Sequence, residues 1–262
     1  MLAEANQTHM FQSRRKKVEK LDFILVGAQK SGTTALHYCL EKHPDITLGD
    51  QQEMHFFDDE EVFSKPVDYA LLHRHFQAIA PSAIAGECTP SYLYWEPAAE
   101  RISRYNPAVK LLVLLRNPVD RAFAHWNMQR YKKREPLDFL RAVEEEKKRT
   151  ARPLSLASRR FSYVDRGFYT TQLERFFRFF PREQFKIIKF EDFRDRQRDT
   201  VNSIFDFLGL KPLAPVQSKD RNVVPYEREM TMEERRFLQS IFAKEIEELE
   251  RLLGWNCADW KV

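Results

Sequence analysis

Cysteine is scarce in this sequence. The 262 residues include only three cysteines, Cys39, Cys88 and Cys257, which lie far apart along the chain. Their number is odd and no pair has the CxxC spacing of a metal site, so the sequence indicates neither a complete disulfide framework nor a cysteine-bound metal. We therefore predict reduced thiols in the core of a cytoplasmic protein that uses no metal.

Long apolar runs are also missing. No stretch approaches the length of about 20 residues that a membrane-spanning helix needs, and residues 1–20 lack the apolar core of a secretory signal peptide. This segment is polar and contains the basic run 14–17, which is typical of a flexible lead or linker. The net charge of +4 is too small to indicate a nucleic-acid partner. We expect neither a membrane nor a nucleic acid among the partners.

What the sequence does contain is an alternation of buried strands and amphipathic helices. Short continuous apolar runs are typical of strands that are covered on both faces of a parallel sheet. The strand candidates are Phe23–Val26, Leu111–Leu115 and Phe185–Ile188. The helical patterns lie near Thr34–Glu41, Tyr69–Ile79, Pro97–Tyr105, Val119–Tyr131, Leu137–Lys148, Gly167–Phe179, Thr200–Leu208 and Thr231–Leu253. Together they predict one domain over residues 21–262, with a three-layer α/β fold and a central, mostly parallel sheet flanked by helices.

The segment 27–34, with the sequence GAQKSGTT, directly follows the first strand candidate. A strand, a tight glycine loop and a helix beginning near Thr33 form a phosphate cradle, because loop N–H groups and the positive end of the helix dipole converge on one anion. The spacing almost matches the nucleotide-triphosphate motif GxxxxGK(S/T). However, Thr33 occupies the lysine position, and Lys30 lies inside the loop. We predict a P-loop-like cradle that binds phosphate but is not built for ordinary ATP hydrolysis.

A second basic group follows another strand candidate. Arg116 comes directly after the apolar run Leu111–Leu115 and before the chain-turning pair Asn117-Pro118. At the end of a strand, an arginine can bind a second phosphate through two parallel hydrogen bonds. It can equally pair with a carboxylate at the edge of the sheet. The cradle at 27–34 favours the phosphate.

Together these segments resemble the PAPS-dependent sulfotransferases, in particular the heparan-sulfate-type branch and its bacterial relatives in polyketide and olefin synthases. Residues 29–34 are similar to the 5'-phosphosulfate loop of that family, and residues 115–121 to the start of its 3'-phosphate motif. The resemblance covers most of residues 22–255 and keeps the order and separation of the motifs. The other matching segments are 53–57 (EMHFF), 87–92 (ECTPSY) and 167–181.

The resemblance implies an enzyme that moves the sulfuryl group of 3'-phosphoadenosine 5'-phosphosulfate (PAPS) to an acceptor hydroxyl and releases 3'-phosphoadenosine 5'-phosphate (PAP), without a metal. Lys30 would stabilise the charge that develops on the leaving phosphate oxygen. Arg116 would hold the 3'-phosphate. The residues implied for the 5'-phosphosulfate are Gln29, Lys30, Ser31, Gly32, Thr33 and Thr34.

The chain departs from the family at one position. The family places a serine eight residues after the arginine, as a second ligand of the 3'-phosphate, whereas this chain has Ala124 there. Three replacements for the missing hydroxyl are open: His125, Arg121, or the basic pair Lys219 and Arg221.

The acceptor hydroxyl needs a general base, and Glu53 and His55 are the candidates. They are two residues apart, so in an extended segment their side chains would point the same way. A histidine near its usual pKa is the better proton acceptor at neutral pH, whereas the resemblance implies a glutamate at position 53. We favour His55, with Glu53 as its partner or replacement. Glu87 is a further candidate for orienting Lys30 or the acceptor.

Two other functions use the same kind of cradle. A small-molecule kinase is disfavoured by Thr33 at the lysine position and by the lack of a clear apolar run that ends in aspartate. The one candidate run, 187–192, is interrupted by Lys189. A nucleotide-binding module without catalysis would be favoured if neither Glu53 nor His55 faced the loop.

The acceptor is less constrained by the sequence. Resemblance to the synthase domains implies a 3-hydroxyacyl chain on an acyl carrier protein, and a glycan or a small alcohol is the alternative. Carrier proteins are acidic, and this chain has basic groups at Arg130, 132–134, 147–149 and 159–160. Ordinary solvated helix and loop faces explain these groups equally well.

Overall fold

The computed structural model describes residues 15–213 and 224–262. Its centre is a five-stranded parallel sheet in the order β2-β3-β1-β4-β5. The strands are β1 (Phe23–Gly27), β2 (Ile46–Leu48), β3 (Ile84–Cys88), β4 (Lys110–Leu115) and β5 (Phe185–Lys189). The helices are α1 (Thr33–Glu41), α2 (Ala70–His73), α3 (Ala98–Tyr105), α4 (Pro118–Tyr131), α5 (Phe139–Arg149), α6 (Leu156–Phe161), α7 (Tyr169–Phe177), α8 (Phe190–Asp195), α9 (Gln197–Leu208) and α10 (Met232–Leu253). The predicted α/β fold with a central parallel sheet is confirmed.

The central strand β1 is apolar throughout because both of its faces are covered. Ile24 and Val26 belong to the larger core cluster on one face of the sheet, and Phe23 and Leu25 belong to the cluster on the other. All five residues of β1 are buried. Because β1 pairs with β3 and β4, the segments that follow these three strands meet at one edge of the sheet. The functional site is built there.

The structure corrects several boundaries. The helical pattern at Tyr69–Ile79 forms only the short helix α2 (Ala70–His73). Strands β2 and β3 were not predicted, because β2 has three residues and Gly86 and Glu87 interrupt the apolar run of β3. Helices α6 and α8, of six residues each, were also missed because so few residues show no clear period.

The predicted flexible lead, residues 1–20, extends too far toward the C-terminus, because its last residues are part of the packed domain. Lys16 forms two backbone hydrogen bonds with Ile79, at 2.8 and 2.9 Å, and the side chain of Val18 is buried. The packed part of the chain therefore includes residues before 21, while residues 1–14 lie outside the described ranges.

The cysteines behave as the sequence indicates. Cys39, Cys88 and Cys257 are all buried free thiols, which confirms the prediction of reduced thiols in the core. Within residues 15–213 and 224–262, the helices are too short or too polar to cross a bilayer.

Candidate active site

The loop between β1 and α1 has the backbone shape of an anion cradle. Lys30 and Gly32 both have left-handed φ values, 70° and 91°. Glycine is needed at position 32, because a Cβ there would lie 2.9 Å from the ring of Phe190 and a side chain disfavours this φ. Helix α1 begins at Thr33, as predicted, and no side chain caps its first turn. The N–H groups of that turn are therefore available to an anion.

The six loop residues predicted to contact the donor differ in exposure. Ser31 is completely buried and Thr33 nearly so. The side chains on the accessible side of the loop are those of the partly exposed residues, Gln29, Lys30 and Thr34, next to Gly32.

Arg116 lies at the end of β4, beside the loop. Its Nη1 atom donates a hydrogen bond to the carbonyl oxygen of Lys30 at 3.3 Å, and its guanidinium lies 5.1 Å from the centre of the Phe190 ring. The hydroxyl of Tyr169 donates to its backbone carbonyl at 2.9 Å. These contacts are with a carbonyl oxygen and a ring, so they leave charge available for an anion. Within residues 15–213 and 224–262, Arg116 forms no ion pair with a carboxylate, which was the other interpretation of this residue.

Lys30 is surrounded by like charges. Burial lowers the pKa of Lys30 to about 8, and the charges of Arg116, Lys132 and Arg121 contribute to the shift, while Glu53 opposes it. An ammonium that burial and neighbouring cations make less stable gains more from an anionic ligand than an exposed lysine does. The loop is therefore prepared electrostatically for a negatively charged donor.

The two candidate bases lie together, although not in the way their spacing suggests. The Nε2 atom of His55 is 3.3 Å from Oε2 of Glu53. His55 has a left-handed φ of 52°, so the segment is not extended at this residue and the alternation of a strand does not apply. A turn, not a strand, brings the two side chains together.

Asp58 is the third member of this group, and the sequence analysis missed it. Its Oδ2 atom lies 3.0 Å from Nδ1 of His55, and its side chain is completely buried. His55 therefore lies between two carboxylates, one on each ring nitrogen. The signal was available in the sequence, because Asp58 follows His55 by three residues in a segment that reverses direction.

These contacts decide the charge of the histidine. Burial would lower the pKa of His55, but the hydrogen bonds that its ring donates to Asp58 and Glu53 outweigh burial and raise the pKa to about 9. Burial likewise acts against the ionised form of Asp58, yet its hydrogen bond with His55 and the charges of His55 and Arg159 hold its pKa below the usual value. At neutral pH the ring is therefore protonated and has no free lone pair. This shifts the preference for the general base from His55 to Glu53.

Two further side chains hold the Asp58 carboxylate. The hydroxyl of Ser91 donates to Oδ2 at 2.5 Å. Nη1 of Arg159 lies 3.5 Å from the same oxygen, and Nη2 of Arg159 donates to the backbone carbonyl of Asp58. Ser91 lies in a motif that the sequence analysis quoted, whereas nothing in the sequence connects Arg159 on α6 with residues a hundred positions earlier.

Glu87 acts on the same loop through Thr89. The Thr89 hydroxyl donates to Oε2 of Glu87 at 2.9 Å and accepts the backbone N–H of Met54 at 3.1 Å. Burial raises the pKa of Glu87 to about 7, although hydrogen bonds with Tyr92 and Thr89 oppose the shift. Through Thr89, Glu87 therefore positions Met54, which lies between Glu53 and His55. The sequence analysis expected Glu87 to orient Lys30 or the acceptor instead.

Ala124 is buried on α4, and two of the side chains proposed to replace the missing serine hydroxyl, Arg121 and His125, do not line the accessible side of the site. Arg121 and His125 are both completely buried, and Arg121 donates to the backbone carbonyl of Tyr163. The basic pair Lys219 and Arg221 lies outside the described residues.

The structure also bears on the kinase alternative. The run 187–192 begins on β5 and ends on α8, which carries Asp192. Asp192 pairs with Arg196 at 2.5 Å. A half-exposed aspartate on a helix, paired with an arginine, is poorly placed to hold a metal at the phosphate cradle.

Comparisons with known proteins agree with this geometry. The model of the sulfotransferase domain family matches residues 20–233. The chain is 30% identical over 197 residues to mouse heparan sulfate glucosamine 3-O-sulfotransferase 5, an alignment that covers 72% of this chain and 53% of that protein. The chain spans about half the length of the curated relatives it matches.

Two solved structures extend the comparison. A sulfotransferase from Alicyclobacillus acidocaldarius superposes with a TM-score of 0.80 at 29% identity, over 94% of this chain and all of that one. A sulfotransferase domain from the curacin biosynthetic pathway superposes with a TM-score of 0.50 at 12% identity, over 86% of this chain and 98% of that one, and shares the fold alone. The family predicted from the motifs is confirmed.

Proposed function

The chain belongs to the sulfotransferase family, and from this premise we propose that it transfers the sulfuryl group of PAPS to an acceptor hydroxyl with Glu53 as the general base. Membership in the family makes the protein a transferase. The donor, the roles of the residues and the acceptor are the proposed part.

The position of Lys30 carries the proposal. Arg116 donates a hydrogen bond to its carbonyl oxygen, and the charge of Glu53 is close enough to oppose the fall in the pKa of Lys30. An anionic donor fits the two cations, which adjoin the uncapped first turn of α1. Glu53 near the same lysine then supplies a base for the acceptor hydroxyl.

The side chains then divide the work. PAPS supplies the bond between sulfur and its 5'-phosphate oxygen, which breaks as the acceptor oxygen bonds to sulfur. Lys30 donates a hydrogen bond to the phosphate oxygen that gains charge, and so stabilises the transition state. Glu53 accepts the hydroxyl proton. The imidazolium of His55, fixed by Asp58, holds the carboxylate of Glu53 in place.

Binding and turnover test the proposal against the kinase alternative. We expect PAP to bind and ATP with Mg²⁺ to bind far more weakly, because the lysine lies inside the loop and not at its end. Glu53→Gln should keep PAP affinity and lose transfer, with Glu61→Gln, an exposed glutamate of the same segment, as the matched control. Tight binding of ATP with Mg²⁺ and none of PAP would show that the donor is wrong.

A 3-hydroxyacyl chain on an acyl carrier protein is our first candidate for the acceptor. Several basic groups that suggested an acidic partner are already paired: Arg130 with Glu227, Lys148 with Glu145, Arg149 with Glu135, and Arg159 with Asp58. Lys132 stays near the reaction centre, since its charge lowers the pKa of Lys30. It follows α4 together with the exposed residues Lys133 and Arg134. This short basic segment supports an acidic partner next to the site.

A glycan hydroxyl is the second candidate, and one observation favours it. The 30% identity is to a glucosamine 3-O-sulfotransferase, whereas the likeness to the curacin domain is of fold alone. A transfer screen with carrier-bound hydroxyacyl chains, sulfated and unsulfated glycans, and free alcohols separates the candidates. Arg134→Glu, at an exposed position of the same basic segment, should weaken a carrier-protein acceptor several-fold and leave the free hydroxyacyl chain unchanged. Transfer to glycans alone would remove the carrier-protein candidate.

A further inference from the structure

A cavity of about 550 Å³ opens beside the last turn of α4 and faces the segment 225–227. It is separate from the donor site, since neither Arg116 nor Glu53 lines it. We propose that this cavity binds a ring of an acidic saccharide and so holds part of an oligosaccharide acceptor. The acceptor role rests on the proposed function and takes the glycan of its two acceptor candidates. The exposed rings that line the cavity are those of Tyr131, Pro136, Pro225 and Tyr226.

Hydrogen bonds fix the walls of the cavity. The side chain of Asn127 donates to the carbonyl oxygen of Pro225 and accepts the N–H of Glu227, each at 3.0 Å. Arg130 donates two hydrogen bonds to the carboxylate of Glu227, both at 2.8 Å. It donates another to the carbonyl oxygen of Pro136 at 2.9 Å. A cavity that is already ordered costs a ligand little conformational entropy.

The same contacts pair most of the charges around the cavity. Arg130 and Glu227 form an ion pair, and the buried carboxylate of Glu135 pairs with Arg149. Within residues 15–213 and 224–262, the ammonium of Lys133, which also lines the cavity, has no carboxylate partner. The cavity therefore offers apolar rings and one unpaired cation, which are the usual components of a small-molecule site.

The two tyrosine rings suit a sugar. Tyr131 is 63% exposed and Tyr226 is 45% exposed, and Tyr226 is held by stacking on Phe123, with ring centroids 5.8 Å apart. A tyrosine combines an apolar ring face with a hydroxyl that can donate and accept hydrogen bonds. A sugar can lay its C–H groups on such a face and bind the hydroxyl through its own. Lys133 adds a partner for a carboxylate or sulfate, which a plain hydrocarbon chain lacks.

One residue connects the cavity with the reaction centre. Lys132 lies between Tyr131 and Lys133 in the chain, and both of these line the cavity. Burial is the main cause of the lowered pKa of Lys30, and the charge of Lys132 contributes to it. An oligosaccharide with one ring in the cavity can therefore extend past Lys132 toward Glu53. Binding of that ring should lower KM and leave kcat unchanged, because it lies away from the reacting atoms.

Binding is measured without the donor. Calorimetry compares a tetrasaccharide of alternating N-acetylglucosamine and glucuronic acid with the same tetrasaccharide reduced to alcohols at its carboxylates. Tyr131→Ala should weaken both by about 3- to 10-fold, the size of one aromatic contact. Lys133→Gln should weaken only the acidic one, by about 2- to 5-fold, as an exposed ion pair does. Lys147→Gln, an exposed lysine of α5 outside the cavity, should change neither.

Turnover distinguishes a binding role from a structural one. With the acidic tetrasaccharide as acceptor, Tyr131→Ala should raise KM several-fold and leave kcat, PAP affinity and thermal stability unchanged. Tyr131→Phe keeps the ring and should stay close to the wild type. If Tyr131→Ala instead lowered stability and PAP affinity together, the tyrosine would serve the fold and the inference would be overturned.

The outcomes separate this inference from the proposed function. A wild type that binds the acidic tetrasaccharide but not PAP keeps the ligand of the cavity and overturns the donor. A wild type that binds PAP but neither tetrasaccharide overturns the cavity's ligand and leaves the donor in place. Binding of the tetrasaccharide without transfer to it would overturn the acceptor role.

Discussion

The carboxylate of Asp58 holds Nδ1 of His55 at 3.0 Å from a position that is completely shielded from solvent. A buried carboxylate is stable only if donors surround it, and a protonated histidine ring is one of the donors here. The same contact removes His55 from the list of groups that can accept a proton at neutral pH. The pair thus turns a histidine that the sequence suggests as a base into a fixed cation beside the carboxylate of Glu53.

The first prediction concerns the base. Glu53→Gln should lower kcat by about a hundredfold to ten-thousandfold, the usual contribution of a general base, while PAP affinity stays the same. His55→Asn should lower kcat less, because the proton acceptor remains. Steady-state kinetics with saturating donor measures both. A nearly active Glu53→Gln together with an inactive His55→Asn would return the role to the histidine.

The second prediction is a pH dependence of stability. The pKa of His55 is raised from 6.5 to about 9 in the folded protein. A raised pKa contributes stability that is complete below 6.5 and is lost as the pH rises through 9, because above that pH neither state is protonated. We expect the free energy of unfolding to fall between pH 6.5 and 9.5.

A urea titration at each pH measures this fall. In Asp58→Asn it should be smaller, because the main partner of the ring has lost its charge. In His55→Asn the contribution should disappear. If the free energy of unfolding fell with pH as steeply in both variants as in the wild type, groups other than His55 would cause the fall.

The third prediction concerns Lys30, whose pKa of about 8 makes it mostly neutral above that pH when no donor is bound. An anionic ligand favours the ammonium, so binding should take up a proton at pH 8.5 and PAP affinity should fall as the pH rises from 8 to 9.5. Calorimetry in buffers with different ionisation enthalpies measures the uptake. Lys30→Met should abolish it and lower turnover by about a hundredfold or more. Identical proton uptake in Lys30→Met would assign the proton to another group.

The fourth prediction tests the packing under the site. A Cβ at Gly86 of β3 would lie 2.2 Å from the ring of Phe23 on β1, so the two strands can lie side by side only with glycine there. Gly86→Ala should lower the free energy of unfolding by about 1–3 kcal/mol, as overpacking does. Adding Phe23→Leu should cost less than the sum of the single changes. Strict additivity would show that the two residues do not meet.

Much of the fold could be predicted from the sequence, since strands buried on both faces have a compositional signature. β1 and all of β4 after Lys110 are continuous apolar runs; β5 is interrupted by Lys186, but each of the three was recognised. β3 lies next to β1 in the sheet but was not recognised, because Gly86 and Glu87 interrupt its apolar run. Gly86 is needed for packing against Phe23, and Glu87 accepts a hydrogen bond from Thr89 near the site. A strand cannot be recognised from its local apolar pattern when one of its residues is required by a partner far away in the sequence, as Gly86 is required by Phe23.

The sequence by itself determined the family, the phosphate loop with Lys30, and the positions of Glu53 and Arg116, because these depend on residues that are close together along the chain. Only the tertiary structure decided the charge of His55. That charge depends on hydrogen bonds with Glu53 and Asp58 that a turn creates, and Arg159 reaches Asp58 from α6. A pKa reports the whole surroundings of a group, and those surroundings come together only when the chain folds.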